Sequence, residues 1–424
     1  MNERILLKNS ETGPVDLEGY RREGGFEALE RAVRKGRPLD VLEEIKRSGL
    51  RGRGGAGFPT GKKWEMVATH RSTERYLVCN AGEHEPGTYK DRFLLLHNPF
   101  QLIEGITLGV FAVGAKSAYL FIDATFTEQI DRVRKALDAA RREGFLGPNL
   151  FGTGFSCDID LFLGPHAYVA GEETAMLQAI QGQPAKPKPK PPYYPTVHGL
   201  YGRPTLVNNV ETFSNVPHII RNGSDWFRSF GTPTSPGTML FSLSGSVTHP
   251  GVYEVPLGIP LRRLIEKYGG GINDGRPIKA VYPGGPSLAF LMPKDLDVPM
   301  DFDSLRAAGT GLGSAGVIVL DDTQCMVEQT MNICRFFEME SCGQCPPCQM
   351  GTHYLHLNLE KIENGHGRPE DLQTLRQLSG FVKGRGDCTV ITGAAVAVET
   401  SLRHFSGEFE EHVREQRCSL KVAG

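Results

Sequence analysis

Three cysteines in "SCGQCPPCQMG" and a fourth in "GRGDCTV" limit how this chain can fold more than any other feature. Cys342, Cys345 and Cys348 form a C-x2-C-x2-C run, and Cys388 follows 40 positions later. If one centre holds all four, the intervening segment must leave and return to the same point. Three closely spaced thiolates plus one remote thiolate are the ligand set of a [4Fe–4S] cluster. A four-cysteine zinc site is the alternative, but it more often uses two C-x2-C pairs. Cys325 and Cys334, nine positions apart, make no second pair. The total of nine cysteines is odd, which argues against a disulfide framework. Cys79, Cys157, Cys325, Cys334 and Cys418 read as buried or incidental thiols, with Cys418 exposed near the tail.

Ahead of the cysteines, strand and helix patterns alternate. "FEALERAVRKG" and "PLDVLEEIKRSG" read as amphipathic helices, the second started by Pro38 and Asp40 and stopped by Gly49. "RYLVCNAGE", "SAYLFID" and "CDIDLFLG" read as strands, and "FQLIEGITLGVFAVGA" as a buried helix. "TFTEQIDRVRKALDAARREG" reads as an exposed helix with a Thr N-cap, and "GEETAMLQAIQG" as a short helix. The alternation predicts an α/β layer with a largely parallel sheet. "QGQPAKPKPKPPYYPT" is a stiff, extended segment, either a linker or a clamp over a ligand. A second unit begins near Thr238, with four short strands around the helix "IPLRRLIEKYG", and from Thr323 the pattern is almost all helical.

"RGRGGAGFPTGKKW", from Arg51 to Trp64, has five glycines among four cations. Gly52, Gly54 and Gly57 match G-x-G-x-x-G, but a helix and not a strand precedes them, and Pro59 and Gly61 interrupt the segment after them. The P-loop pattern also fails, because Gly57 to Gly61 is one residue short and Lys63 holds the Ser/Thr position. Backbone N–H groups freed of side chains still make an anion-binding concavity, to which Arg53, Lys62 and Lys63 add charge. Glu83 and Glu85 follow a strand, where α/β sheets bind ligands. Glu172 and Glu173 open a helix, where acids are favourable as plain caps. Phe58, Tyr168 and Tyr193 offer flat faces for rings or ordinary packing.

"RGRGGAGFPTGKKW", "CNAGEHEPGTYKDR", "AYVAGEETAML", "GLYGRPTLVNNVET" and "SCGQCPPCQMG" occur in this order. Together they resemble the NADH- and FMN-binding flavoprotein subunit of respiratory complex I, the 51-kDa or F subunit. The resemblance spans about residues 20 to 415. It implies a Rossmann-like α/β domain for FMN and NADH over 1–237, a ubiquitin-like β-grasp module over 238–322, and a helical iron–sulfur bundle over 323–424. It implies that Gly54, Gly55, Gly57 and Lys63 line the flavin site with Asn80. Asn208, Asn209 and Thr212 then hold the flavin phosphate and ribityl chain, and Phe58 stacks on the adenine of NADH. Glu85, beside Glu83, approaches the nicotinamide ribose, while Glu173 and Lys190 take the rest of the dinucleotide near Glu172 and Tyr168. Gly82 stands where many relatives have Asp, so a flavin contact there is expected through the backbone.

The implied chemistry is hydride transfer from NADH to FMN, then single-electron transfer to the [4Fe–4S] cluster and on to a partner. No side chain need act as acid or base, so Glu85 is expected to position the nicotinamide. The implied partners are a thioredoxin-like [2Fe–2S] subunit of the 24-kDa or E type and further peripheral-arm subunits. Related diaphorase subunits of NAD-reducing hydrogenases and NAD-dependent formate dehydrogenases share the motifs. Those relatives often carry extra thioredoxin-like or ferredoxin domains, and the sequence shows neither. A zinc-stabilised nucleotide- or RNA-binding scaffold is the rival from another class. A net charge of -2 gives no global field for nucleic acid, and no run of eighteen apolar residues spans a membrane. The N-terminus lacks the apolar core of a signal peptide. The expected location is therefore cytoplasmic, peripheral on the inner face of the membrane through the complex.

Overall fold

In the computed structural model, residues 4–8 and 13–421 are described. The outermost residues of the expected units, 1–3 and 422–424, and residues 9–12 lie outside that set. The first unit is built on β1 (Tyr76–Ala81), β2 (Ser117–Asp123), β3 (Ile159–Gly164) and β4 (Thr205–Asn209). All pairs are parallel, in the order β3-β2-β1-β4. Leu77, Val78, Cys79 and Ala81 of β1 are all buried, the pattern of a parallel strand covered on both faces. The helix Pro99–Val113, buried along almost its whole length, covers one face.

The glycine loop departs from expectation in one respect. A helix, Thr60–Ala68, starts directly after Pro59 and continues through Gly61. A Cβ on Gly61 would lie 2.5 Å from the Cα of Lys46, so the glycine is what lets this helix close on Pro38–Ser48. The sequence pattern reads as an interruption because close helix contact and helix breaking both use glycine. The N-cap of Thr127–Arg142 also differs: Phe126 occupies it and makes no side-chain cap.

The second unit carries β5 (Thr238–Gly245), β6 (Gly251–Pro256), β7 (Ile278–Tyr282) and β8 (Gly316–Asp321), ordered β6-β5-β8-β7. β5 and β8 run parallel and the outer pairs antiparallel. The four helices Met326–Met339, Pro346–Glu363, Pro369–Val382 and Val390–Glu415 form the third unit. Their shared core includes Phe337, Leu355, Leu359 and Val398. Cys418 is buried in this core, not exposed as the sequence suggests. Among the described residues, no helix is long and apolar enough to cross a membrane.

Candidate functional site

The carboxyl ends of β1 and β4 lie side by side, with Asn80 opposite Asn209 and Cys79 opposite Asn208. β1 has β2 on one side and β4 on the other, so the strand order reverses here. Open α/β sheets bind ligands at such a reversal. The glycine loop is pinned over it by the Arg53 N–H, which donates to the buried Thr212 hydroxyl at 2.9 Å. A Cβ on Gly54 would come within 3.0 Å of the Asn209 Cβ, so a larger residue would press the loop off the strand ends.

Around the loop opens a cleft with two lobes of about 500 and 560 Å³. Each is of a size that suits a small-molecule ligand. Both lobes share Gly54, Asn80, Gly171, Glu172, Asn209 and Thr389. The first continues past Gly55, Glu83, Glu85 and Tyr168 to Ser287 and Cys388. The second is lined by Gly57, Phe58, Lys63, Glu173, Lys190, Asn208 and Thr212. Every residue expected to hold FMN or NADH thus borders one cleft.

Their local commitments differ. Gly55 has φ +121° and open space where a Cβ would stand, so this is where backbone meets cavity. Gly57 has φ +61°, but its missing Cβ makes room for the Phe302 ring, 2.5 Å from the ideal position. Asn80 donates to the Gly171 carbonyl at 2.8 Å and accepts from the Gly82 N–H. Asn208 accepts from the Trp64 indole N–H at 2.8 Å, and Asn209 caps the helix Val210–Asn222 by accepting from the Glu211 N–H. Phe58 leaves 40% of its surface open, a free face at the mouth of the second lobe.

The acids fall into two groups. Glu83 is buried and accepts from the Asp91 and Arg92 N–H groups, so it caps the helix Lys90–His97. Burial and the neighbouring Asp91 carboxylate raise its pKa to about 7. Glu85 accepts from the Tyr168 hydroxyl and from the N–H and hydroxyl of Ser287. Burial raises its pKa, and those donors oppose the shift. Glu172 caps Glu173–Ile180 by accepting from the Thr174 and Ala175 N–H groups. Lys190 reaches both Glu172 and Glu173, at 2.7 and 2.8 Å, and Lys63 stands 3.4 Å from Glu173. Burial opposes the charge on Glu173, but Lys63 and Lys190 outweigh it and lower its pKa. The Lys/Pro segment is thus fastened to the cleft rim, which favours its reading as a clamp.

Two contributors were not legible in sequence. Lys90 is wholly buried against Asp91 at 2.9 Å and Glu211 at 2.8 Å, on the wall of the first lobe. Nothing in "GTYKDRF" marks it as buried. Ser287 comes from the second unit, more than 200 residues after Glu85, and no local signal links them.

Cys342, Cys345, Cys348 and Cys388 line one narrow cavity with Pro187 and Asp387. The Asp387 N–H donates to the Cys345 sulfur at 3.4 Å, and Ser341 Oγ lies 3.4 Å from the Cys348 sulfur. Cys388 and Val390 border both this cavity and the first lobe of the cleft.

Known proteins share this layout. Residues 45–218 match the Nuo51 FMN-binding domain, 240–291 an SLBB domain, and 328–412 the NADH-ubiquinone oxidoreductase-F iron-sulfur binding region. An NADH-quinone oxidoreductase F subunit of Rhizobium meliloti (strain 1021), the one numbered 2, is 46% identical over 99% of each chain. This chain belongs to the family of NADH-quinone oxidoreductase F subunits. The family also reaches into hydrogenases. The NADP-reducing hydrogenase subunit HndC of Solidesulfovibrio fructosivorans is 41% identical over 96% of this chain and 83% of that one. A solved structure of an NAD+-reducing [NiFe]-hydrogenase in the air-oxidized state superposes with a TM-score of 0.83 at 33% identity. It covers 98% of this chain and 67% of the hydrogenase chain.

Proposed function

We propose that this chain is the electron-entry subunit of an NADH:quinone oxidoreductase, oxidising NADH at an FMN held in the cleft. The observation that carries this reading is the wall formed by Cys388 and Val390, which borders both the cleft and the cysteine cavity. A flavin on one side and a cluster on the other would be neighbours. The residues fit both groups. Four thiol side chains converge on a cavity too narrow for an organic ligand, and the open space at Gly55 is a cradle that a Cβ would fill.

Bound there, FMN would accept two electrons together from NADH and release them singly to the [4Fe–4S] cluster. The chain's own residues bind, orient and exclude water. Gly54, Gly55 and Asn80 let backbone approach the ring system, while Asn208, Asn209 and Thr212 secure the strand end beneath it. Phe58 offers its open face to the adenine, and Glu85, fixed by Tyr168 and Ser287, orients the nicotinamide ribose. Glu173 and Lys190 line the path of the remaining dinucleotide, and Lys63, 3.4 Å from Glu173, borders the flavin site. In this reading the units run over 1–237, 238–322 and 323–424. The immediate partner is a thioredoxin-like [2Fe–2S] subunit, and the assembly sits at the inner face of the membrane.

The likeness to hydrogenase subunits supports a second reading, a diaphorase subunit of a soluble hydrogenase. Purification under mild conditions, with identification of the retained chains, separates the two. The shared core is tested on the purified subunit, which is expected to carry FMN and iron and to reduce ferricyanide with NADH. Cys345→Ala is expected to lose iron and acid-labile sulfide while keeping flavin, and Cys79→Ala to lose neither. Iron retained in Cys345→Ala, or a colourless wild-type protein, would sink the reading.

A further inference from the structure

The C-terminal bundle holds a second group of metal-type ligands, at the end away from the cluster cysteines. Cys325 precedes the helix Met326–Met339, and Glu363 ends the helix Pro346–Glu363. His412 lies in the last turn of Val390–Glu415, and Cys418 follows after the chain turns back. The turn is made by Gln416, whose φ of +53° few non-glycine residues adopt. The Gln416 side chain donates to the Gly367 carbonyl at 2.9 Å and holds the tail against the bundle. Cys325, His412 and Cys418 are 3%, 2% and 5% exposed.

The Cys325 sulfur, a ring nitrogen of His412 and the Cys418 sulfur all lie within 4.8 Å of one another. The Cys325 sulfur is 3.4 Å from His412 Nε2 and 3.7 Å from Glu363 Oε2, and Nε2 is 3.6 Å from that oxygen. A tetrahedral zinc ion, with bonds of about 2.0–2.3 Å to such ligands, separates them by roughly 3.3–3.8 Å. The three measured separations match one face of such a tetrahedron, and the Cys418 sulfur stands within 4.8 Å of its Cys325 and His412 corners. His412 Nδ1 lies 2.7 Å from the Glu408 carbonyl, which can only accept, so Nδ1 carries a proton. This is the backing bond that metal-ligating histidines make, and it turns the Nε2 lone pair toward the other ligands. The Glu328 N–H also donates to the Cys325 sulfur at 3.5 Å and holds it at the start of its helix.

We propose that Cys325, Glu363, His412 and Cys418 bind a structural zinc ion, separate from the iron–sulfur centre. Cys325 and Cys418 fall outside residues 328–412, the span matched to the iron-sulfur binding region. The same three helices bear both sites at opposite ends. Pro346–Glu363 starts beside Cys345 and Cys348 and finishes at Glu363, about 27 Å away along an 18-residue helix. Val390–Glu415 likewise runs from beside Cys388 to His412. The ion would fasten the far end of the bundle, next to its junction with β8, and so hold the cluster end in register.

The test is elemental analysis of the whole purified subunit, with zinc, iron and flavin measured per chain. One zinc per chain beside the cluster iron is expected. Cys418→Ser and His412→Gln are expected to reduce zinc to background while iron and flavin remain. Cys345→Ala is expected to keep its zinc. In the metal-exchanged protein, cobalt(II) is expected to give a thiolate-to-cobalt charge-transfer band that Cys418→Ser diminishes. A chelator is expected to lower the melting temperature of the wild type and leave that of Cys418→Ser unchanged. The proposal is overturned if wild type binds no zinc even when zinc is supplied, as a hydrogen-bonded Cys–His–Glu cluster would behave. It is also overturned if zinc persists in both site variants and disappears in Cys345→Ala.

Discussion

The Tyr168 hydroxyl donates to Glu85 Oε2 at 2.7 Å, tying the turn Tyr168–Gly171 of the first unit to the acid that follows β1. Ser287, from the second unit, donates to the same carboxylate through both its N–H and its hydroxyl. All of these donors are uncharged, and burial raises the Glu85 pKa while they oppose it. Ser287→Ala removes the hydroxyl, so the carboxyl is expected to rise further. A group that works as the anion then fails sooner on acidification. The acid limb of kcat/KM for NADH is expected to move to higher pH in Ser287→Ala. An unmoved limb with a lowered kcat would mean that Ser287 serves only packing.

Glu173 stands between Lys63 and Lys190, and a 2′-phosphate entering there would meet its charge. Glu173→Gln releases Lys63 and leaves Lys190 paired with Glu172 alone, so both lysines gain capacity to pair that phosphate. NADPH is expected to gain about tenfold in kcat/KM relative to NADH, a change of about 1.4 kcal/mol. Glu85→Gln is expected to change the ratio less. A ratio unaltered by either variant would shift discrimination to the shape of the lobe.

Gly55 and Gly57 share a positive φ but face different neighbours. Gly57→Ala pushes a methyl into Phe302, and an overpacked contact of this kind costs about 1–3 kcal/mol. A lowered melting temperature is expected, with flavin content per iron near normal. Gly55→Ala has room but disfavours the backbone conformation at the cavity wall. Lost flavin and NADH oxidation are expected there, with cluster iron retained. Normal flavin occupancy in Gly55→Ala would make the whole loop architecture alone.

His218 Nε2 lies 3.1 Å from the Gln101 side-chain oxygen, and its Nδ1 faces the Arg221 guanidinium at 3.5 Å. The ring is therefore neutral, donating from Nε2 and accepting at Nδ1. Burial, then the charges of Arg221 and Lys8, lower its pKa to about 3. Because the folded value is below the unfolded one of about 6.5, the unfolded chain binds more protons in between, and stability falls as pH falls through 6.5. One pH unit below that, the loss is about 1.4 kcal/mol. His218→Gln is expected to flatten the melting temperature between pH 7 and 5.5. Equal slopes in variant and wild type would refute this.

The parallel sheet, the second sheet and the bundle were readable because burial leaves a periodic trace. "YLVCNA" is apolar where β1 is covered on both faces, and Lys and Glu mark the solvent sides of the bundle helices. That Cys388 would meet Cys342, Cys345 and Cys348 was readable from their spacing, since a shared centre requires it. Lys90, Ser287 and the Cys325–His412–Cys418 group were not. Each depends on residues brought together by packing from distant segments, and a lysine's or cysteine's burial has no local signature. Gly61 misled for a related reason, since its close neighbour Lys46 belongs to another helix.

The cleft's shared floor includes Gly54 near the start of the chain and Thr389 near its end. About 335 residues separate them. At the usual 5–20 residues per second, a ribosome needs roughly 20–70 s to go from one to the other. A nascent chain can therefore complete its sheet long before it owns a whole pocket. A flavin that needs both walls of this cleft can be loaded only after Thr389 has emerged, and until then the growing chain exposes an unfinished wall.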